Sequence, residues 1–333
     1  MKHINVALFV PDEGCPHRCS FCNQKTISGK SKPLTVEDIE NAVETALSAS
    51  DCGDGEIAFF GGSFTAIERN YMLSLLKKAK EYVDRGLFKG IRISTRPDCI
   101  DREILDILKE YKVTSVELGC QSMDDEVLSL NERGHTSDDV IKSASLIKEY
   151  GFEFGVQMMT GLYGDTNEKA LKTAKKLISL KPDTARIYPT VVLENTALAA
   201  LYEKGVYVPQ STEEAVSLCA ELLLMFHEAG IRVIRLGLHS GGNVEDGFVA
   251  GAYHPAFREM AESSIYLRRI KDEIVKEKIS NGKIEITVGS SYVSMATGQK
   301  KSNINELLLM GYTAKIKANS EYKKYEVSVR LTQ

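Results

Sequence analysis

The chain has 333 residues, of which 43% are hydrophobic and 26% charged, and its formal net charge is −4. This length suits one large domain with a smaller one, and the composition is typical of a globular protein rather than a disordered or fibrous one. No apolar run approaches the roughly 20 residues that a membrane-spanning helix needs, so we expect no membrane partner.

The seven cysteines also indicate where the protein works. Their number is odd, with three close together near residue 20 and four scattered along the chain. Such spacing does not suit a disulfide framework and predicts a reducing, cytoplasmic location.

Short apolar runs alternate with amphipathic stretches over the first 240 residues. The runs predict strands at Ile4–Val10, Glu56–Phe60, Gly90–Ser94, Thr114–Leu118, Phe152–Met159, Ala185–Tyr188 and Arg232–Leu236. The stretches predict helices at Val36–Ala49, Ile67–Arg85, Asp101–Tyr111, Ser137–Tyr150, Asn167–Leu180 and Thr212–Ala229. Alternation of this kind favours βαβ units and a parallel sheet, here a complete or partial barrel. Functional groups are then expected at the carboxyl ends of the strands.

Three cysteines follow the first predicted strand, in the order Cys15-Pro16-His17-Arg18-Cys19-Ser20-Phe21-Cys22. Thiolates select iron–sulfur clusters or zinc. A closed zinc site needs four ligands, and His17, the one nearby candidate, is expected to point away from the sulfurs. Three thiolates on a four-iron cluster leave one iron open for chemistry. A zinc knuckle or unrelated loop thiols remain the alternatives.

Further motifs end the next strands. Gly61-Gly62-Ser63-Phe64-Thr65 would let a ligand approach the backbone closely. In Ser94-Thr95-Arg96-Pro97-Asp98, Arg96 could hold a carboxylate or phosphate, or could simply pair with Asp98. A plain strand-to-helix turn would also explain the glycine pair, so each motif allows either a ligand contact at the barrel mouth or a structural role.

Alternation along the fourth strand places Glu117, Gly119 and Gln121 on one face. A hydrogen-bond acceptor and an amide there suit ribose and methionyl groups. A layer of polar residues that hydrogen-bond to each other inside the barrel would show the same pattern. Candidates elsewhere are Arg133, before a helix, Gln157 on the fifth strand and Tyr188 at the end of the sixth.

The cysteine spacing, with an aromatic residue before the last cysteine, resembles the radical S-adenosylmethionine (SAM) signature. Over about residues 4 to 236 the chain resembles the radical SAM domain of the Elongator catalytic subunit, which modifies wobble uridine in tRNA. The motifs shared with it are Thr95-Arg96-Pro97-Asp98, Val116-Glu117-Leu118-Gly119-Cys120-Gln121-Ser122, Arg133-Gly134-His135-Thr136 and Ile187-Tyr188-Pro189-Thr190-Val191-Val192.

This resemblance implies a [4Fe–4S] cluster on Cys15, Cys19 and Cys22, with SAM on the open iron. It implies cleavage of SAM to a 5′-deoxyadenosyl radical, with electrons from an external reductant such as flavodoxin or ferredoxin. The residues it would place around SAM are Phe21, Gly61, Gly62, Ser63, Arg96, Glu117, Gln121, Arg133, Gln157 and Tyr188. Elongator has a longer first cysteine gap and an acetyltransferase domain. We expect no acetyltransferase domain in this chain and therefore no acetyl-CoA chemistry.

The last 71 residues differ in charge from the rest. Residues 263–333 contain 13 Lys and Arg against 7 Asp and Glu, whereas residues 1–262 contain 29 against 39. The sequence of residues 263–333 predicts a strand, two short helices joined by the turn Gly298-Gln299-Lys300-Lys301, and two more strands. This order resembles a KH RNA-binding fold, with Lys301 where the second glycine of the G-x-x-G loop would be. Gly298, Lys300 and Lys301 are therefore candidate RNA contacts; a module that merely covers the barrel is the alternative.

The expected architecture is α/β: a partial (β/α)6-type TIM barrel over residues 1–262, the radical SAM core, and a small basic KH-like α+β domain over residues 263–333. The expected function is a radical SAM enzyme that modifies an RNA base, preferably in tRNA. The alternatives are a radical SAM enzyme acting on a small molecule such as a tetrapyrrole, and a non-enzymatic iron–sulfur redox sensor. No general acid or base is assigned, because none can be placed without a substrate.

Overall fold

Seven parallel strands form the main sheet, in which they lie side by side in the order of their occurrence along the chain. The structure, a computed structural model, describes residues 5–10, 15, 18–24, 26, 32–49, 52–238 and 244–332. The strands are β1 (Val6–Val10), β2 (Glu56–Gly61), β3 (Gly90–Thr95), β4 (Val113–Gln121), β5 (Glu153–Thr160), β6 (Thr184–Pro189) and β8 (Arg232–Leu236), while β7 (Val191–Leu193) pairs antiparallel with β9 (Phe248–Gly251). All seven predicted strands of the sheet are present, in the predicted parallel arrangement.

Helices connect successive strands of the sheet. They are α1 (Val36–Ala49), α2 (Arg69–Asp84), α3 (Arg102–Glu110), α4 (Asp125–Leu130), α5 (Ser137–Glu149), α6 (Asn167–Ser179), α7 (Ala197–Glu203) and α8 (Thr212–Glu228). The first helix begins at a reciprocal capping box, because Thr35 and Asp38 each bond the backbone of the other. Six strand–helix units leading to a seventh strand confirm the partial barrel.

The sheet is curled rather than flat. Ala7 on β1 and Tyr188 on β6 line the same cavity although four strands separate β1 from β6. Between them the strands bury unbroken apolar runs, such as Ile57, Ala58 and Phe59 on β2, as strands covered on both faces must. Curling brings the carboxyl ends of the strands around one space.

A second unit contains the C-terminal residues. Its elements are α9 (Phe257–Lys276), β10 (Gly282–Gly289), α10 (Val293–Thr297), α11 (Ser302–Leu309), β11 (Tyr312–Asn319) and β12 (Val327–Leu331). Its sheet has the order β11-β10-β12, with β10 parallel to β11 and antiparallel to β12. The elements follow one another in the predicted order.

The turn between α10 and α11 has an unusual backbone. Gly298, Lys300 and Lys301 have φ angles of +81°, +51° and +63°. A left-handed φ favours glycine. Lys301, which lies where the second glycine of a G-x-x-G loop would be, therefore adopts a backbone conformation typical of glycine.

The two compact units are Met1–Gln210 with Phe226–Ala252, and Ser211–Met225 with Tyr253–Gln333. The expected domain boundary, after residue 262, lies within α9 in the second unit. Within the described part of the chain, we find no helix with the length and apolar character needed to cross a bilayer.

Candidate functional site: a cavity lined by three cysteines

A cavity of about 290 Å³ lies at the carboxyl ends of the strands of the main sheet. It is lined by all thirteen residues that the sequence suggested for cluster and SAM binding: Cys15, Cys19, Phe21, Cys22, Gly61, Gly62, Ser63, Arg96, Glu117, Gln121, Arg133, Gln157 and Tyr188. These residues come from positions up to 173 apart in the chain. The fold therefore brings every one of them to a single site.

The three clustered thiols are free and differ in exposure. Cys19 is buried, Cys22 is half-buried and Cys15 is exposed. Arg133 Nη1 lies 3.0 Å from Cys19 Sγ, and Gln24 Nε2 lies 3.3 Å from Cys22 Sγ, so each of these two sulfurs faces a hydrogen-bond donor. Burial raises the pKa of Cys22 to about 12, which keeps this thiol protonated unless a bound cation stabilises the thiolate.

The three thiols have the donor chemistry of an iron–sulfur site. Among the described residues, no three His, Cys, Asp or Glu side chains form a compact site for a single metal ion. In a [4Fe–4S] cluster each thiolate binds a different iron, so the three sulfurs need not converge on one point. His17, the candidate fourth ligand of a zinc site, lies outside the described residues.

Gly61 forms the part of the cavity wall next to the cysteines. Its φ is +111°, and a Cβ atom there would lie 2.7 Å from the carbonyl oxygen of Val10. The following amide, of Gly62, donates to the same oxygen across 3.0 Å. Only glycine can bring the backbone this close to the end of β1, which leads into the cysteine segment.

Arg96 forms the structural pair with Asp98, which is one of the two roles that the sequence left open. Its Nε and Nη2 bond the two carboxylate oxygens of Asp98, each at 2.9 Å, as in a structural Arg–Asp pair. Its Nη1 is buried and has no hydrogen-bond partner among the described residues. Because a buried unpaired guanidinium nitrogen is costly, Nη1 is suited to receive a ligand oxygen at the cavity.

Arg133 has a similar pattern. Its Nη2 donates to the carbonyl oxygen of Gly119 across 2.7 Å, while its Nε is buried without a partner within the described ranges. The neighbouring His135 is also buried, and this burial lowers its pKa to about 4. His135 is therefore neutral at physiological pH and is not a general acid there.

The polar face of β4 is interrupted by a bulge. The pairing with β5 shifts between Gly119 and Gln121, and Gln121 has a φ of +61°. Glu117, Gly119 and Gln121 nevertheless all face the cavity. Gln121 Oε1 accepts a hydrogen bond of 3.2 Å from Gln157 Nε2, which joins β4 to β5.

Arg186 is a cavity residue that the sequence analysis missed. Its Nε donates to Glu117 Oε2 across 2.6 Å, and its Nη1 lies 3.4 Å from the hydroxyl of Tyr188. Its guanidinium also stands 4.7 Å from the centre of the Phe60 ring. Two-residue alternation along the strand predicts this position, because Arg186 precedes Tyr188 by two residues on β6 and must share its face.

Contacts from distant parts of the chain hold the cysteine segment in place. Ser20 Oγ donates to Asn131 Oδ1 across 2.9 Å, and the amide of Leu198 donates to the carbonyl oxygen of Ser20 across 2.7 Å. Phe21 packs against a buried apolar cluster made of Val192, Leu198, Ala199 and Tyr207. The cysteines are thus supported by α4, β7 and α7.

The three RNA-binding candidates lie elsewhere. Gly298, Lys300 and Lys301 belong to the second unit and do not line this cavity. Both lysines are exposed.

Known proteins resemble this chain at the level of family and fold. The chain is 32% identical over 227 residues to an uncharacterized protein of Methanocaldococcus jannaschii, covering 63% of this chain and 68% of that one. It is 33% identical over 256 residues to the tRNA uridine(34) acetyltransferase of the same organism, covering 64% and 47%. Human Elongator complex protein 3 is 31% identical over 191 residues, covering 51% and 35%. The chain thus spans less than half the length of these two relatives.

The solved structure of archaeal Elp3 from Methanocaldococcus infernus, with its N-terminus deleted, matches with a TM-score of 0.64. It is 20% identical and covers 88% of this chain and 68% of that one, which shows a shared fold. A model of the Radical_SAM C-terminal domain matches residues 182–269. The model of the radical SAM superfamily matches residues 10–177, about half of the chain, and the chain therefore belongs to the radical SAM superfamily.

Proposed function

We propose that the protein reductively cleaves SAM at a [4Fe–4S] cluster held by Cys15, Cys19 and Cys22 and so modifies a base in RNA. Among RNA substrates, the proposal favours tRNA. The observation that carries this proposal is the meeting of three free thiols with a glycine backbone and two partly unpaired guanidinium groups around one cavity. This set of groups suits a cluster together with a zwitterionic, nucleoside-bearing ligand.

A cluster held by Cys15, Cys19 and Cys22 would supply the one electron that divides SAM into methionine and a 5′-deoxyadenosyl radical, and this radical would take a hydrogen atom from the substrate. The side chains and backbone of the protein would bind SAM and orient it. The backbone at Gly61 and Gly62 is open to the amino group of SAM, because neither residue has a side chain. Arg96 Nη1 and Arg133 Nε, both buried and without partners among the described residues, are suited to its carboxylate.

The ribose would lie against β4 and β5. Glu117, Gln121 and Gln157 present carboxylate and amide groups there, and hydroxyl groups of a ribose can both donate to and accept from them. Phe21 and Tyr188 supply apolar ring surface beside these polar groups. Such a mixture of aromatic walls and a few convergent polar groups is typical of ligand sites.

The size of the cavity bears on the substrate. At about 290 Å³ it is at the lower end of the range for small-molecule sites. A nucleoside-sized cofactor would fill it, so the substrate would meet the cofactor at the cavity mouth. A base presented by a large RNA would be able to reach a cofactor from this position.

Two further observations favour RNA. Relatives of about 30% identity are tRNA uridine(34) acetyltransferases, although the chain spans only part of their length. The second unit carries an exposed basic turn, in which Lys300 and Lys301 could contact phosphates while Gly298 permits close approach of the backbone. We propose this turn as one RNA contact of a KH-like domain covering about residues 263–333.

The proposal can be tested with reconstituted protein under anaerobic conditions. Protein, SAM, bulk tRNA and a reductant such as flavodoxin or ferredoxin should release 5′-deoxyadenosine and yield tRNA nucleosides of changed mass. The Cys19→Ala variant should do neither. Release of 5′-deoxyadenosine without any changed nucleoside would favour a small-molecule substrate. A redox-active cluster with no SAM cleavage would favour a sensor.

A further inference from the structure

The three-stranded sheet of the second unit has one buried face and one open face. Paired residues of neighbouring strands point to the same side of a sheet, so the register assigns each side chain to a face. Ile284, Ile286 and Val288 of β10 are buried on the inner face. The alternating residues of β10 and their partners on β11 and β12 form the open face: Lys283, Glu285, Thr287, Thr313, Lys315, Lys317, Ser328 and Arg330.

This open face, so defined, is entirely polar and strongly basic. All eight side chains are exposed or half-buried, and they include four cations against one carboxylate. Lys315 and Lys317 lie two residues apart on β11, which places their Cα atoms about 6.6 Å apart. The face is therefore a compact patch with a net charge of +3.

The single carboxylate does not neutralise the patch. Glu285 Oε1 lies 2.5 Å from Arg330 Nη2 and 4.0 Å from Lys317 Nζ, so it serves two of the four cations. Lys283 and Lys315 have no ion-pair partner among the described residues. Arg330 and Lys317 also remain about two-thirds exposed, at 67% and 59% of their side-chain surface.

Protection of sheet edges explains part of this pattern. Lysines on an edge strand discourage pairing with another chain, which accounts for Lys315 and Lys317 on β11. It does not account for Lys283, which lies on the central strand β10. The absence of apolar side chains from this described face also disfavours insertion into a lipid surface.

We propose that this open face binds the phosphate backbone of RNA, as a surface separate from the turn at Gly298–Lys301. The inference rests on the proposed function, and it adds the surface on which the substrate would be held. A row of cations on a flat polar sheet attracts a polyanion regardless of sequence and positions it without reading bases. Thr287 and Thr313 can donate further hydrogen bonds to phosphate oxygens.

Fluorescence anisotropy of labelled bulk tRNA with the full-length protein, at 50 to 200 mM NaCl, tests this proposal. Lys315→Gln/Lys317→Gln should weaken binding about tenfold and reduce the slope of log affinity against log salt by about 2. Lys172→Gln/Lys175→Gln, which removes the same charge from exposed positions on α6, should change neither. Glu285→Gln should strengthen binding, because it removes the only carboxylate of the face.

The outcomes separate this surface from the proposed function. If the wild-type protein binds tRNA and the Lys315/Lys317 variant binds it equally well, the open face is not the RNA surface, whereas the proposed substrate stands. If the wild-type protein binds no tRNA at any salt concentration, the RNA substrate itself is wrong. Binding of phosphatidylserine vesicles in place of tRNA, lost in the same variant, would overturn the proposal in favour of a lipid surface.

Discussion

The guanidinium of Arg186 and the carboxylate of Glu117 form an ion pair of 2.6 Å inside the cavity. Both are shielded from water, with 16% and 3% of their side-chain surfaces exposed. Ser94 Oγ donates to the other carboxylate oxygen across 3.2 Å, so Glu117 is held on both sides. The pair fixes the carboxylate in the position where we propose that it meets the ribose.

Arg186→Gln should destabilise the protein by about 3 kcal/mol, because it leaves the Glu117 carboxylate buried without its cation. Thermal unfolding of the cluster-free protein would measure the loss. The double variant Arg186→Gln/Glu117→Gln should recover part of it, since both buried charges are then gone. Equal stability of the Arg186 variant and the wild type would show that the pair is not buried in solution.

Gly61→Ala should both destabilise the protein and abolish SAM binding. The added Cβ would meet the Val10 carbonyl oxygen at 2.7 Å with the backbone at a φ of +111°, so we expect a cost of at least about 3 kcal/mol. Gly86→Ala is the matched control, because its φ is +72° but no atom of the described residues lies within 4 Å of the added atom. There only backbone strain remains, about 1 kcal/mol. Unfolding midpoints and equilibrium dialysis with SAM would compare the two.

The sequence predicts the barrel and most of the cavity because the relevant signals are local. Two-residue alternation places Glu117 and Gln121 on one face, and even the bulge between them leaves both in the cavity. The same rule would have found Arg186 had it been applied to β6.

Other features arise only from contacts between distant segments. The bond between Ser20 and Asn131 joins residues 111 apart, and no local pattern marks it. Strand β7 has three residues and pairs with β9 more than 50 residues later, so it is too short to show a period. Helices α4 and α7, of six and seven residues, were missed for the same reason.

His135 should make stability fall in acid. Its imidazole is buried, which lowers its pKa from 6.5 to about 4, so the unfolded chain binds more protons than the folded one between these pH values. The contribution of His135 is therefore fully present above pH 6.5 and is lost as the pH falls toward 4, by about 3 kcal/mol in total. Unfolding of reduced, cluster-free protein at several pH values would show a shallower dependence for His135→Gln. Identical pH dependence of the two proteins would contradict this account.

Asn131 should matter for retention of the proposed cluster, although none of its side-chain hydrogen bonds within the described residues involves a thiol. Its side-chain amide donates to the carbonyl oxygens of Val127 and Tyr163, and its Oδ1 accepts from Ser20 beside Cys19. Asn131→Ala leaves these buried groups unpaired, so we expect about 2 kcal/mol of destabilisation and faster loss of iron to a chelator. Asn167→Ala, at an exposed asparagine of α6, should change neither. Iron release at the wild-type rate would show that Asn131 does not position the cysteine segment.

The metal content and electron paramagnetic resonance spectrum of anaerobically purified, reduced protein test the central claim most directly. Three thiolates on one cluster with an open iron predict about four iron atoms per chain and a signal that changes when SAM is added. Cys19→Ala should lose the iron, the signal and the release of 5′-deoxyadenosine together. One zinc per chain without iron, or a spectrum that does not respond to SAM, would contradict the account.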